Sequence, residues 1–252
     1  VVGDACAEVG VRVLCAYGVT DRHGADGARR GLAENERFLR EGGRGMVGVH
    51  AAFTCSDATL AAAAGLAEDL GVGVHVHVAE GPDDLAAGAR LEHLANPSWL
   101  LAHCVHLDRT LPGTIAHNPR SNMNNGVGYA RPSSRPNPIV LGTDGIGGDL
   151  LDEMRVAYVR HREDDLLASP DTTWAWLQGG YQLVPEARDD LVRWSYDHAD
   201  SAWHVAFTPG IHAVDIDIDG SPALRAGLPT RVDLDEVRAR AAEQAARLHA
   251  LL

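Results

Sequence analysis

Four short segments carry the side chains able to do chemistry. They are His75-Val76-His77-Val78-Ala79-Glu80, Leu101-Ala102-His103-Cys104-Val105-His106, Ala116-His117-Asn118-Pro119 and Leu141-Gly142-Thr143-Asp144-Gly145. Each sets a metal-competent or proton-transfer group at the end of a short apolar run. An imidazole, a carboxyl group and a second carboxylate that converge suit a divalent cation that activates water. One segment alone carries little: alternating histidines also form hydrogen-bonded core pairs, and Thr-Asp-Gly is a common turn. The informative feature is all four in this order.

The spacing assigns roles. If a strand ends at His77, Glu80 sits on the following turn and reaches back over the strand end. His77 then binds metal through a ring nitrogen, and Glu80 moves protons between water, ring nitrogen and leaving group. His75 has the same strand parity as His77 and points the same way, one layer deeper. His103 closes another strand, where it binds the metal or hydrogen-bonds the activated water. His106, just past it, is expected in a supporting or surface position. Asp144 is followed by Gly145 and Gly147, which allow close approach of a ligand. A carboxylate there binds metal with one oxygen and takes the proton of water with the other. His117 and Asn118, in a polar stretch after an apolar strand, are expected to shape the substrate pocket. His50, in Val49-His50-Ala51-Ala52-Phe53-Thr54, is expected to touch a substrate oxygen or nitrogen, with a structural histidine as the alternative. Tyr17, Thr20 and Arg22 are placed at the same pocket. Asp215, Asp217 and Asp219 alternate as a solvated face, with the wrong spacing for a calcium loop. His93, His161, His198, His204, His212 and His249 form no constellation and are expected at the surface.

The elements that must position these residues alternate. Strands are expected at Val11–Tyr17, Met46–Val49, Val72–Val78, Trp99–His103, Thr114–Ala116 and Ile139–Leu141. Helices are expected at Gly27–Arg40, at Ser56–Leu70 with Ser56 as its cap, and at Asp83–Leu94. Strand–helix alternation implies a parallel sheet wrapped by helices. A (β/α)8 TIM barrel keeps its chemistry at the strand ends, which is where these residues fall. Six strands are then visible and the first two are absent from the sequence. Helical patterns run on to about Gln178. Beyond Pro185, Asp190–Tyr196, Trp203–Phe207 and Val214–Asp219 read as short strands, with Asp219-Gly220 as a turn. Val232–Leu252 reads as an amphipathic helix starting near Asp233. The expected organisation is a barrel unit over 1–184, a small β-unit over 185–231 and a C-terminal helix over 232–252. Only nine residues, 105 to 113, separate the strand ending near Cys104 from the next. A parallel crossover normally needs a dozen or more. Missing residues are expected there, before Val1 and near Ala187–Asp190.

Composition bounds the rest. The chain has 252 residues, 45% of them hydrophobic, enough for a sizeable core. Its formal net charge of −13 argues against nucleic-acid and anionic-membrane partners. All 22 basic residues are arginine. That removes a Schiff-base lysine, a phosphate-loop lysine and a carbamylated lysine bridging two metals. The four cysteines are scattered without metal or scaffold spacing, so reduced thiols and the cytoplasm are expected. No signal peptide or apolar stretch of membrane length appears.

These motifs resemble the amidohydrolase superfamily, in particular its metal-dependent aromatic deaminase and chlorohydrolase branch. The matching pieces are His77-x-x-Glu80, Ala102-His103-Cys104-Val105-His106-Leu107, Ala116-His117-Asn118-Pro119-x-Ser121-Asn122 and Gly142-Thr143-Asp144-Gly145. The stretches 48–57, 118–125 and 142–147 look most like the SsnA-type aminohydrolases. The resemblance implies a TIM barrel with a small β-sandwich built from both chain ends. It implies His77 as a metal ligand, Glu80 as the proton shuttle, His103 as ligand or water partner, Asp144 as ligand and general base, and His50 at the substrate. One Zn2+ per chain is implied, or Fe2+ in its place, acting in deamination of a purine, pyrimidine or triazine type of heterocycle. Opening of a cyclic amide and dechlorination use the same metal and water. A non-catalytic ligand-binding barrel is the reading from another class, supported by the lack of the family's first-strand His-x-His. A homodimer is implied by analogy only.

Overall fold

The computed structural model describes residues 1–251. The apolar runs that end in histidine lie side by side. Strands β1 (Val47–Ala51), β2 (Val74–Val78), β3 (Leu100–His103), β4 (Thr114–His117) and β5 (Ile139–Leu141) form one parallel sheet in chain order. Every second side chain faces the helical layer, as a strand's period of two requires. Val47, Val49, Val74, Val76, Leu101 and Ile115 pack there against Leu60, Ala63, Ala67 and Leu91. Each such valine or leucine contributes about 1.5–3 kcal/mol when fully buried. The opposite face carries a smaller apolar cluster of Leu100, Ala102, Ala116 and Val140.

The helical layer comprises α2 (Gly24–Arg40), which follows a short N-terminal helix α1 (Val2–Val9), then α3 (Asp57–Leu70) and the short α4 (Ala87–Leu91). Ser56 caps α3 by accepting the Thr59 N–H, and Gly71 ends it in the left-handed conformation. The expected helix 83–94 is shortened to a 3-10 turn (Pro82–Asp84) and α4.

The expected first strand, Val11–Tyr17, is not a regular one. Only two isolated parallel bridges, Cys15 to Gly45 and Val19 to Val49, tie this extended segment to the sheet edge. The reason is Asn35 of α2, which is buried and inserts its amide. Its Oδ1 accepts from Tyr17 N (3.1 Å) and Gly48 N (3.0 Å), and its Nδ2 donates to Tyr17 O (2.9 Å). A side chain thus stands in for part of the ladder. The segment also runs so close that a Cβ on Gly48 would lie 2.4 Å from the Tyr17 carbonyl oxygen.

The short β3–β4 crossover closes without a helix. Leu111 is wholly buried in the sheet–helix core. Asn137 donates to Leu111 O and Gly113 O (2.8 Å each), and Arg135 donates to Cys104 O and Leu107 O (3.0 Å each). These side chains satisfy carbonyls that a longer crossover would pair within a helix.

Helix α5 (Pro119–Asn124) leads from β4, and α6 (Leu150–Asp164), which packs on α5, and α7 (Pro170–Gly179) follow β5. Residues 203–207, expected as a strand, belong to helix α8 (Ala202–Phe207), capped by Ser201. Ala202 and Val205 are the buried pair, a spacing of three that a five-residue apolar run does not distinguish from a strand. They pack with Leu141, Met154 and Trp176. Strands β6 (Leu191–Trp194), β7 (Ala213–Ile218), β8 (Ser221–Arg225) and β9 (Leu228–Pro229) form a four-stranded antiparallel sheet, the small β-unit expected beside the barrel. The Asp219-Gly220 turn has both residues left-handed (φ 53° and 69°), the hairpin geometry its sequence implies. The C-terminal helix α9 (Leu234–His249) starts from an Asp233 cap.

Candidate active site

The chemistry-bearing residues gather at the carboxyl ends of the parallel strands. His75 and His77 alternate with buried valines on β2 and share the face away from the helices. His50 of β1 joins them: its ring lies 5.6 Å from that of His77, and the His75 ring 6.3 Å. The Nδ1 of His50 is 2.9 Å from Thr54 Oγ1.

His103 needs a separate explanation. Strand parity on β3 groups it with Leu101, on the helix side. Its backbone is left-handed instead (φ 69°), as is that of Cys104 (φ 54°). This ends the strand and brings the ring over the strand ends, 5.0 Å from the His77 ring and edge-on to it. Ala79 (φ 46°) and Asp144 (φ 51°) use the same device to turn Glu80 and the Asp144 carboxylate inward. Left-handed backbone in a residue with a Cβ costs about 1–2 kcal/mol. Such strain concentrates at functional sites.

Ligand atoms of His77, Glu80 and His103 lie within 4.8 Å of one another. His103 Nε2 is 3.7 Å from Glu80 Oε2 and 3.9 Å from Asp144 Oδ2. It is buried and has no hydrogen-bond partner among the described residues. A buried, unpaired ring nitrogen is costly unless a ligand completes it. Two imidazoles and two carboxylates are a donor set for a borderline divalent cation such as zinc, so the residues present fit such an ion. Asp144 enters this group through His103, standing outside the tightest set of three.

Electrostatics agree. Burial, followed by the neighbouring His103 and His75, pushes the His77 pKa down to about 4, which leaves its lone pair free at neutral pH. Burial lowers His75 and, with Arg22, His50 in the same direction. Burial opposes ionisation of Asp144, but the Ser121 hydroxyl and His103 outweigh it and its pKa falls below the usual carboxylate value.

Helix α5 supports three of these groups at once. Ser121 Oγ donates to Asp144 Oδ2 (2.5 Å), Asn122 Oδ1 lies 2.8 Å from His103 Nδ1, and Asn125 Nδ2, just past the helix, donates to Glu80 Oε1 (3.2 Å). The helix is fixed in turn by Arg120, whose Nε donates to the fully buried Glu153 Oε1 of α6 (2.6 Å). Ser121, Asn122 and Asn125 have supporting roles that their sequence, a motif and a polar stretch after β4, does not assign. The signal available was a run of polar side chains at one-turn spacing directly after a strand.

Other expectations divide. Asn118 lies behind His103, its Nδ2 3.4 Å from the ring's Nδ1, rather than in the open mouth. His117 does not reach the pocket. On β4 it has the parity opposite to the inward Ala116, and it is wholly buried against Tyr129 and Trp176 on the helix side (5.8 and 5.9 Å between rings). Burial pushes its pKa down to about 3. Arg22 stacks over Phe53 beside His50 (5.6 Å), Thr20 bonds Thr54 O (3.2 Å), and Tyr17 is exposed. His106 is at the surface. His161 is buried, contrary to expectation, with its Nε2 3.0 Å from Ser133 Oγ. His198 and His204 form a surface pair with Tyr196, whose hydroxyl is 2.7 Å from His204 Nδ1.

A 5′-deoxyadenosine deaminase of Methanopyrus kandleri is 32% identical over 192 residues, covering 64% of this chain and 44% of that protein. A 5-methylthioadenosine/S-adenosylhomocysteine deaminase of Desulfitobacterium hafniense is 34% identical over 188 residues, covering 62% and 43%. The chain thus spans less than half the length of these curated relatives. Among solved structures, a zinc-bound adenosine deaminase from Xanthomonas campestris superimposes with a TM-score of 0.81 at 21% identity, over 98% of this chain and 69% of that one. The zinc complex of atrazine chlorohydrolase TrzN from Arthrobacter aurescens gives 0.70 at 16%, over 95% and 67%. Likeness at these identities concerns the fold, an α/β barrel of the TIM type. The model of the Amidohydrolase family matches residues 2–177, the stretch that carries every strand of the parallel sheet and every group at its mouth, and the chain belongs to that family.

Proposed function

We propose that this chain is the barrel part of a metal-dependent hydrolase that deaminates a nitrogen heterocycle, with 5′-substituted adenosines as the first substrate class. The observation that carries the reading is the convergence of His77, Glu80 and His103 within 4.8 Å around a buried, unpaired His103 Nε2, with Asp144 3.9 Å from it. The names of the two curated relatives given above, both deaminases of adenosine derivatives, support the substrate class.

His77 and Asp144 are the proposed ligands of one Zn2+ per chain, with His103 beside them and Fe2+ as the alternative ion. When bound, the cation supplies the positive charge that makes water a nucleophile near neutral pH. Asp144, ionised and steadied by Ser121, accepts the proton that water gives up. Glu80, on its left-handed turn, delivers a proton to the nitrogen side of the C=N bond that is attacked. The oxygen of water adds to the amidine-like carbon; the proton held by Asp144 then passes to the amino group, the exocyclic C–N bond breaks to release ammonia, and the adduct's hydroxyl proton returns to Glu80 as the carbonyl forms. His50 meets a substrate heteroatom from the β1 side, and Asn122 Oδ1 holds His103 from behind by accepting from its Nδ1, which leaves Nε2 its lone pair, while Asn118 lines the same side of the ring.

The same proposal takes residues 1–184 as the hydrolase unit, with 185–231 and 232–252 as appended segments. It places the protein in the cytoplasm, in line with four cysteines that are unpaired among the described residues, and allows a homodimer. No described helix is long and apolar enough to cross a membrane.

The test is metal content by elemental analysis together with ammonia release from 5′-deoxyadenosine, 5′-methylthioadenosine, S-adenosylhomocysteine and a chloro-s-triazine. Zn2+ or Fe2+ is supplied and then chelated. About one tightly held ion and ammonia from an adenosine support the reading. Retention of no metal refutes it and favours a ligand-binding barrel.

A further inference from the structure

Asp84 lies four residues past Glu80, in the 3-10 turn Pro82–Asp84, and is only 3% exposed. Among the described residues it makes no ion pair. Arg90, the cation closest in effect, is directed elsewhere and donates to Asp57 Oδ1 and the carbonyls of Ala52 and Cys55. A buried carboxylate without a cation must be held by hydrogen bonds. Asp84 divides its two oxygens between two loops. Oδ2 accepts the Ala79 N–H at 2.7 Å, and Oδ1 accepts the Phe53 N–H at 3.0 Å.

Both amides occupy sensitive places. Ala79 is the left-handed residue directly before Glu80, and its carbonyl is held on the other side by the His106 N–H at 2.8 Å. With both of its backbone groups engaged, Ala79 has no freedom to relax toward an extended conformation, which would swing Glu80 away from His77 and His103. Phe53 follows His50 in the turn after β1. One carboxylate therefore joins the turn that aims the proton carrier to the turn that follows the strand bearing the substrate-facing imidazole, a turn whose Thr54 hydroxyl lies 2.9 Å from His50 Nδ1. Charge-assisted bonds from backbone amides to a carboxylate are among the stronger ones in proteins.

We propose that Asp84 is a positioning residue: it fixes Glu80 and the His50–Phe53 turn in one frame and touches neither substrate nor cation itself. This rests on the reading in which Glu80 moves protons.

Hydrogen exchange on the metal-free chain tests the frame without any activity. In the wild type the Ala79 and Phe53 amides are expected to exchange at least about tenfold more slowly than open amides. Asp84→Asn keeps the size but turns one acceptor into a donor, so one or both amides should speed up about tenfold while Val76, inside β2, stays unchanged. Open-amide rates in the wild type, or protection unaltered in Asp84→Asn, overturn the proposal. Steady-state ammonia release from 5′-deoxyadenosine separates positioning from bulk stability. Asp84→Asn should lower kcat about tenfold or more in the wild type and add nothing in a Glu80→Gln background. Equal losses in both backgrounds overturn the positioning role. Full activity of Glu80→Gln alone instead sinks the deaminase reading and leaves the exchange rates to judge Asp84.

Discussion

His117 should make this protein sensitive to mild acid. The imidazole is wholly buried, both its nitrogens lack partners among the described residues, and burial pushes its folded pKa down to about 3. An unfolded histidine has a pKa of about 6.5. Above pH 6.5 the ring is neutral in both states and contributes nothing to the pH dependence. Below it, the unfolded chain takes a proton that the folded chain refuses, so stability falls by about 1.4 kcal/mol per pH unit. The loss reaches about 2 kcal/mol at pH 5 and levels off at about 4–5 kcal/mol near pH 3, where the folded ring also protonates. Against a typical domain stability of about 5–15 kcal/mol, that is a large share. His77, with its pKa of about 4, acts in the same direction while no metal holds it. The assay is urea unfolding of the chelator-treated chain from pH 7.5 to 5.0, beside His117→Leu. The variant should lose about 2 kcal/mol less than the wild type over this range, whatever its stability at pH 7.5. Parallel curves for the two proteins would refute the argument and mean that an internal water or a side-chain movement solvates the ring.

Other expectations concern the mouth and the sheet edge. Glu80→Gln should reduce kcat for ammonia release by about 10²–10⁴; an unaltered kcat removes Glu80 from the reaction. Ser121→Ala, which takes away the hydroxyl bonded to Asp144, should lower activity or metal affinity by about tenfold with the unfolding curve nearly unmoved. Asn35→Ala strips the amide that links Tyr17 to Gly48 and should cost about 2–4 kcal/mol in urea unfolding; a loss under about 0.5 kcal/mol would show that water replaces the side chain.

Much of the parallel sheet is legible in the sequence because short apolar runs between helix caps and glycines have few other uses. Ser56, Asp233 and the Asp219-Gly220 turn each act through local chemistry, and local chemistry is what a sequence displays. The losses occur where a distant residue decides. Segment 11–17 fails to become a regular strand because Asn35, on a helix, inserts into its ladder. Residues 203–207 become a helix because Ala202 and Val205 meet Met154 and Trp176, a contact no pattern of five residues reveals. At the mouth, His77, Glu80, His103 and Asp144 are legible as a set by spacing. His117 is misplaced because strand parity within β4 is fixed by Ala116 facing inward, and Ser121 and Asn122 of α5 and Asn125 just past it are overlooked because their partners lie on other elements. Asp84 is hidden for a related reason, since its partners are backbone amides that any sequence would supply.

The contorted backbone at Ala79, His103 and Asp144 bears on how this protein can be altered. Glycine suits such a conformation better than any other residue, so rules for hardening a fold would choose these places first. Two of them hold the reacting side chains and the third steers one, which makes them the places where a gain in robustness most directly trades against turnover. Attempts to toughen the molecule belong instead on faces such as that of α9, where no residue is buried and nothing at the mouth depends on the choice.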